Sequence, residues 1–322
     1  MSAEQLAELS DFFVVAAVLL YVFAMVGFAI ELAFGRSRPN KAEAAVETPV
    51  EVKLPVAVGA AGGASDVPAA AASEQVPVKA SPGAARAGTV ALALAWLGWA
   101  ANFGAIVTRG LSADRWPWGN MYEFVVAICF AAVTAFLGTQ LRHNVRFMGA
   151  FVMLTTALGL GLAVKFFYTV AGPVMPALNS YWIAIHVTAA IISSGLLTIA
   201  GVSGVLYLVR GDGMSRLPSR ADLERVAHRA IVFAFPLWTF AVIAGALWAD
   251  RAWGRYWGWD PKEVWSFITW VAYAAYLHAR ATAGWRGRAA TIVQLMAFGC
   301  LMFNLVGVNI FIEGLHSYAD VD

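Results

Sequence analysis

The sequence predicts an all-α, polytopic membrane protein with about eight transmembrane helices. Of its 322 residues, 60% are hydrophobic and 13% are charged, whereas an ordinary soluble domain carries about 25% charged residues. The mean hydropathy is +0.68. This composition excludes a water-soluble enzyme, a disordered chain and a nucleic-acid binder with a basic face. The bulk of the chain is therefore expected to lie in a lipid bilayer.

Eight stretches are long and apolar enough to cross the hydrocarbon core, which requires about 20 apolar residues in a helix. The first stretch is preceded by acidic residues rather than basic ones, so we interpret it as a retained anchor and not as a signal peptide. The predicted spans are approximately 12–33, 88–108, 122–140, 147–168, 181–209, 230–249, 264–281 and 289–312.

The segment 35–86 differs in kind from the spans. No aromatic residue occurs between Phe34 and Trp96, and Ala, Val, Pro and Gly dominate. Such a segment lacks the bulk to form a core. We therefore divide the chain into an N-terminal anchor at 1–34, a cytoplasmic low-complexity linker at 35–86 and a membrane domain at 87–322.

The orientation follows from the basic residues in the loops. Sixteen Lys and Arg residues fall in one alternating set of segments, and six fall in the other. Cytoplasmic loops carry the excess of basic residues, so both termini are expected outside. The excess of Arg over Lys, 17 to 5, favours a GC-rich bacterial genome and hence a bacterial plasma membrane. The basic set comprises 35–86, 141–147, 210–229 and 280–288.

Two histidines are predicted to reach the outer face. His186 is the sixth residue of its span, roughly 8 Å below the outer end, and His316 lies just beyond the last span. An ionisable side chain within a span is a functional-site hypothesis, although a lone buried histidine can be structural. Two imidazoles at one level suit axial ligation of a haem iron. A zinc site is the competing interpretation, and a proton relay competes for His278, which lies roughly 21 Å down its helix.

The outer loop 252–265 concentrates aromatic residues. Five of its fourteen residues are aromatic, and two glycines and a proline accompany them. An interfacial belt would scatter such residues over many helix ends, so this loop indicates a shaped surface on which a flat apolar ligand can stack. Arg255 and Lys262 are candidates for binding ligand carboxylates, such as those of a porphyrin.

These motifs resemble those of a known family. The stretch from Trp253 to Asp260, WGRYWGWD, resembles the WGxxWxWD sequence of the haem-handling WWD proteins. Four further motifs resemble those of the CcsA/ResC family of System II cytochrome c biogenesis, and the resemblance runs from about residue 88 to the C-terminus. They are Asn120-Met121-Tyr122-Glu123, Ser180-Tyr181-Trp182 before His186, Leu277-His278-Ala279-Arg280 and Gly314-Leu315-His316-Ser317-Tyr318.

The resemblance implies c-type cytochrome biogenesis. Haem b would be delivered through the membrane and presented at the outer face for attachment to the CxxCH of an apocytochrome c. The chain would be one half of a two-subunit haem lyase, with a CcsB/ResB-type membrane subunit. Cys129 and Cys300 lie in apolar runs without a CxxC. The apocytochrome must therefore bring the thiols, kept reduced by other proteins.

The resemblance also implies roles for particular residues. His186 and His316 would ligate an outer haem iron, and His278 an inner one together with a histidine of the partner. Three tryptophans would form the platform for the ring: Trp253, Trp257 and Trp259. Asp260 would orient an indole, a ligand or the loop itself, and no catalytic residue is assigned.

Two alternatives remain open. One is a module of the CcmC kind that binds haem and passes it to a chaperone, and the other is a transporter of another solute with the tryptophan loop as a lid. Glu123, at the outer start of a span, has either a role in the site or a role in the electrostatics of the first helical turn.

Overall fold

The computed structural model describes residues 1–35, 81–173, 180–210 and 217–316. Within these ranges the regular structure is entirely helical, so the predicted all-α class is confirmed. The long helices are α1 (Ala3–Phe34), α2 (Pro82–Ala113), α3 (Met121–Arg142), α4 (Gly149–Phe166), α5 (Tyr181–Val209), α6 (Arg220–Trp253), α7 (Pro261–Thr282) and α8 (Gly287–Met302). A 3₁₀ turn (Arg146–Met148) precedes α4, and a π-helical segment (Phe303–Gly307) joins α8 to the short α9 (Val308–Phe311).

Seven helices of the described ranges are long and apolar enough to cross a membrane, and the chain is a multi-pass membrane protein as predicted. They are α1 to α6, counting the 3₁₀ turn with α4, and the continuous run Gly287–Phe311. The remaining long helix, α7, has 22 residues and coincides with the predicted span 264–281. Its apolar face is built largely of Trp, Tyr and Ala, which are less hydrophobic than the Leu, Ile and Val of the other helices.

Several helices extend beyond the predicted spans. α1 begins at Ala3, where Ser2 and Gln5 form a capping box, and α2 begins at Pro82. α6 begins at Arg220, after the Ser219 cap, so the expectation that the whole of 210–229 is a loop is wrong. Charged residues end an apolar stretch, but they do not end a helix whose first turn is capped. Residues 36–80 of the predicted linker lie outside the described residues.

The helices pack into two adjoining cores. α1 packs along α2 and α4, and their apolar faces form the first core together with α3. α5 packs along α6, and these two helices form the second core with α7 and α8. α3 contributes residues to both cores and contacts α5. α3 and α5 therefore connect the two halves of the bundle.

Consecutive helices alternate in direction, which brings alternate loops to the same end. At one end Glu31 of α1 pairs with Arg146 before α4 at 3.2 Å, and Glu224 of α6 pairs with Arg280 of α7. At the other end, called the site end below, Arg109 of α2 lies beside the starts of α1 and α3. The alternation agrees with the predicted topology, whereas the side of the membrane that each end faces stays a prediction.

A buried ion cluster organises the site end of the first core. The side chains of Arg109 and Glu123 are 3% and 1% exposed, and Arg109 Nε donates to Glu123 Oε1 at 3.1 Å. Arg115 binds both carboxylate oxygens of Glu123, at 2.7 and 2.9 Å. The Gly119 amide donates to Glu123 Oε2 at 2.8 Å. Glu123 thus fixes the loop between α2 and α3.

Replacing Glu123 by Gln is expected to destabilise the protein by about 3 kcal/mol, because the buried Arg109 and the partly buried Arg115 would lose the carboxylate that pairs with both, and Arg109 would keep only the more distant Asp11 at 3.8 Å. The melting temperature in detergent measures this loss. Arg225→Gln is the matched control, since Arg225 pairs with Asp222 at 2.7 Å in an exposed setting. That change should cost no more than about 1 kcal/mol. Equal effects of the two changes would contradict the structural role of the cluster.

Gly195 marks the close approach of α5 to α3. A Cβ at this position would lie 2.8 Å from the carbonyl carbon and Cβ of Ala131 and 3.0 Å from the Ala132 amide nitrogen. Since backbone atoms would have to move, Gly195→Ala is expected to cost about 1–3 kcal/mol in a thermal unfolding assay. Gly161→Ala is the control, because nothing lies within 4 Å of a Cβ there, and it should not lower the melting temperature.

Candidate functional site

A cavity of about 100 Å³ opens at the site end of the second core. Side chains from α5, α6, α7, the tryptophan loop and the residues after α9 line it together. They include His186, Trp248, Trp253, Trp257, Lys262, Asn304 and His316. A second cavity of about 80 Å³ adjoins it on the side of the loop between α2 and α3. Five residues line both cavities: Phe124, His186, Trp248, Lys262 and His316.

His186 reaches this cavity from the second turn of α5. Its Nδ1 lies 2.7 Å from the carbonyl oxygen of Ala241 on α6. A carbonyl only accepts, so Nδ1 carries the proton and Nε2 of the neutral ring carries the lone pair. A Cβ on Gly245 would lie 2.8 Å from the imidazole. Glycine at this position therefore makes room for the ring.

His316 is held by Asp260 at the start of α7. His316 Nδ1 lies 2.7 Å from Asp260 Oδ2, and the Leu315 amide donates to Asp260 Oδ1 at 2.7 Å. The same carboxylate accepts from the Lys262 amide at 3.2 Å and is the N-cap of α7. These contacts match one of the three roles considered for Asp260, that of orienting the loop, and they also orient the ring of His316.

The charge of Asp260 is favoured by these contacts. Burial alone would raise the pKa of the Asp260 carboxyl, but the hydrogen bonds from His316 and from the amides of Leu315 and Lys262 outweigh burial. The pKa therefore lies below its ordinary value, and the group is a carboxylate at neutral pH. An anion that only accepts fixes the His316 proton on Nδ1, which directs any metal ligation to Nε2.

Glu263 completes the turn that presents Asp260. Its Oε2 accepts from the amides of Gly258 at 2.8 Å and Asp260 at 3.1 Å, which closes a capping box with Asp260. The residue before the cap, Trp259, has a φ of +57°. A non-glycine residue in this region is uncommon and costs about 1 kcal/mol or more. The hydrogen bonds of the turn hold it there.

The three tryptophans of the loop take different positions. Trp253 lines the cavity and lies edge-on to the His316 ring, with 5.1 Å between centroids. Trp257 also lines the cavity. Trp259 is 69% exposed, does not line the cavity and meets Trp257 edge-on at 5.9 Å. Two of the three predicted platform residues thus line the cavity, together with Tyr256 of the same loop.

Sequence reasoning missed Trp248, which is 2% exposed near the end of α6. Its indole is nearly parallel to the His186 ring, at 6.3 Å and 7°, and lies 5.7 Å from the His316 ring. It also packs against Trp253 at 4.8 Å. Its spacing of seven residues from Ala241 places both on one face of α6, but the sequence alone does not show that Ala241 contacts His186.

The sequence did not predict that two further polar side chains line the cavity. Asn304 lies in the π-helical segment, is 3% exposed and has a buried Oδ1 without a hydrogen-bond partner among the described residues. A polar residue inside the predicted span 289–312 was the available signal. Lys262, noted from the sequence as a cation near the ligand, lines both cavities.

The remaining candidates lie elsewhere. His278 is exposed on α7, on the same face as Phe267 and Val271, and does not line either cavity. Cys129 is buried in the first core and Cys300 is partly exposed. Neither thiol lines the cavities at the site end. His228, which was expected in a loop, is in α6 and lies 3.4 Å from the Tyr276 hydroxyl. Ser317 and Tyr318 lie outside the described residues.

Comparisons with known proteins agree with these motifs. Residues 118–316 match the family model described as cytochrome C assembly protein. A cytochrome c biogenesis protein CcsA of Synechococcus elongatus is 33% identical over 287 residues, covering 72% of this chain and 86% of the relative. The CcsA of Gloeobacter violaceus is 29% identical over 277 residues, covering 67% and 82%. The CcsA of Chlamydomonas reinhardtii is 41% identical over 153 residues, covering 46% and 43%.

The family match includes every predicted site residue, from the loop before α3 to His316. It spans more than half of the chain, and the Synechococcus relative is covered over most of its own length. The resemblance found from the motifs alone is thereby confirmed. The chain belongs to the cytochrome c assembly protein family.

Proposed function

We propose that this chain acts in c-type cytochrome biogenesis by holding haem b at the site end and presenting it for attachment to an apocytochrome CxxCH. The observation that carries the proposal is the convergence of His186 and His316, which are 130 positions apart in the chain, on one cavity. Haem supplies an iron that takes two imidazoles and vinyl groups to which thiols add. A CcsB/ResB-type membrane subunit would act as the partner.

Both histidines are prepared as ligands in the same way. Nδ1 of His186 faces a carbonyl and Nδ1 of His316 faces a carboxylate, so Nε2 is the ligating nitrogen of each. Such contacts orient the ring and raise its basicity. Because the carboxylate of Asp260 is charged, it makes His316 the stronger donor of the two.

The size of the cavity fits presentation rather than enclosure. Sites that enclose a ligand of drug size have about 300–1,000 Å³, whereas the two adjoining cavities have about 100 and 80 Å³. These cavities are too small to enclose a porphyrin, so a ring held by His186 and His316 would leave much of its area, including one edge, at the surface. The apocytochrome would meet that exposed edge.

The thiols would come from the apocytochrome. Each S–H bond adds across one vinyl C=C bond, which forms one S–C and one C–H bond without net oxidation. The cysteines of this chain do not line the cavities. The apocytochrome cysteines must arrive reduced, so thiol-reducing proteins belong to the proposal.

His278 would serve an inner haem site shared with the partner subunit. Its side chain is exposed on the face of α7 that also carries Phe267 and Val271, and a second ligand from another chain could approach this face. Because His278 lines neither cavity, such an inner site would be separate from the outer one.

The alternative function that also binds haem is that of a module which passes haem to a chaperone without attaching it. Co-expression with the partner and a small CxxCH reporter separates the two functions. Covalent haem on the reporter supports attachment, whereas haem that is bound but never attached supports the alternative. A transporter of another solute would bind no haem at the site end.

The absorption spectrum of the chain, purified with its partner, tests the outer site. Wild type should show a bis-imidazole, low-spin haem spectrum. His186→Ala and His316→Ala should each weaken it, because one axial ligand is removed, and added imidazole should restore it. His143→Ala is the control, since this exposed residue caps the far end of α3.

A haem-free wild type would contradict the proposal when the partner is present and haem is abundant. An unchanged spectrum in the double variant His186→Ala/His316→Ala would instead show that another pair of ligands binds the haem. His278→Ala in the double-variant background then shows whether the inner site holds it.

Asp260→Asn should lower haem affinity about 10- to 100-fold, the usual effect of removing a partner of a metal-bound histidine. It should also raise the midpoint potential, because His316 loses its anionic acceptor. Asn is as good an N-cap as Asp, so α7 should still form. Haem titration and redox potentiometry measure both effects. Asp222→Asn, in an exposed pair at the opposite end, should change neither.

A further inference from the structure

Lys262 places a buried amino group on the wall of the site, and none of the described residues hydrogen-bonds or ion-pairs with it. The residue as a whole is partly exposed, but its Nζ is buried and has no hydrogen-bond partner within those residues. It lines both cavities beside His186 and His316. Burying an unpaired ammonium is costly unless a ligand supplies the partner.

The neighbouring carboxylates are engaged with other donors. Asp260 accepts from His316 and from the amides of Leu315 and Lys262. Glu263 accepts from the amides of Gly258 and Asp260 through Oε2. Neither forms an ion pair with the Lys262 side chain in the part of the chain that the structure describes. The anion that would match Lys262 has to come from outside these residues.

A second unsatisfied polar atom lies on the same wall. Asn304 is 3% exposed, and its Oδ1 has no hydrogen-bond partner among the described residues. A purely apolar ligand would leave both Asn304 and Lys262 unsatisfied, at a cost of about 1–3 kcal/mol or more for each group. The cavity is thus suited to a ligand that brings a polar group to this wall.

Arg255, the other cation expected from the sequence to meet a carboxylate, is placed differently. It is exposed and does not line the cavity. A Cβ on Gly258 would lie 2.7 Å from its Nη2, so the guanidinium packs over the backbone of the loop. Lys262 is therefore the cation that a ligand in the cavity would meet.

We infer that Lys262 binds a carboxylate of the ligand, which is a propionate if the ligand is haem as proposed above. The propionates and the vinyl groups occupy different edges of the porphyrin. An ammonium that holds one propionate fixes the rotation of the ring about the axis through the two histidines. Lys262 is thus a positioning residue that decides which edge of the ring faces the surface.

Titrations with haem and with haem dimethyl ester, whose propionates are uncharged, test this inference on the full chain in nanodiscs. The quantity compared is the ratio of the two dissociation constants, taken between variants because the ester enters lipid more readily. In Lys262→Met the preference for haem should fall about tenfold or more, the size expected for one charge-assisted hydrogen bond. Lys262→Arg should keep the preference.

Arg255→Gln is the matched control from the same loop and should keep the wild-type ratio. The Lys262 amide that donates to Asp260 is retained in every variant, so the start of α7 should be unaffected, and melting temperatures that are no lower than that of wild type check this. An unchanged ratio in Lys262→Met would overturn the inference while leaving haem binding intact. Failure of wild type to bind either compound would instead remove the proposed function and the inference with it.

Discussion

The arrangement at the site end depends on the carboxylate of Asp260. One side chain caps α7, holds the backbone of the segment after α9 and fixes the ring of His316. The two oxygen atoms of Asp260 therefore connect the start of α7, the backbone at Leu315 and the candidate ligand His316. Glu263 supports the same turn from one helical turn further on, because a capping box needs both partners.

The two candidate ligands are supported by acceptors of different charge. The carbonyl of Ala241 lies on a helix that packs along α5, so His186 is oriented by the packing of two long helices. His316 follows the last helix and relies on the charged contact with Asp260. Trp248 contacts both rings. The indole of Trp248 therefore lies next to both rings: His186, held by the packing of α5 and α6, and His316, held by the turn around Asp260.

Much of the fold could be predicted because apolar length identifies a spanning helix directly. The histidine pair and Asp260 could be named from the motifs of the tryptophan loop and the helix ends. The partners of these residues could not, because a backbone carbonyl such as that of Ala241 leaves no trace in the sequence. Trp259, which was expected in the platform, has a positive φ and is largely exposed, and hydropathy carries no information on φ.

The π-helical turn at Phe303–Gly307 has a consequence for how the last helix tolerates change. A π turn absorbs one residue more than an α turn, and the helix on either side keeps its phase. The face that α8 packs against α5 and the direction of the segment leading to His316 therefore keep the relation that they would have in a continuous helix. Between them Asn304 is offset towards the cavity. Deletion of a single residue here would restore a continuous α-helix and leave both flanking segments in register. It would remove only the Asn304 side chain from the cavity wall.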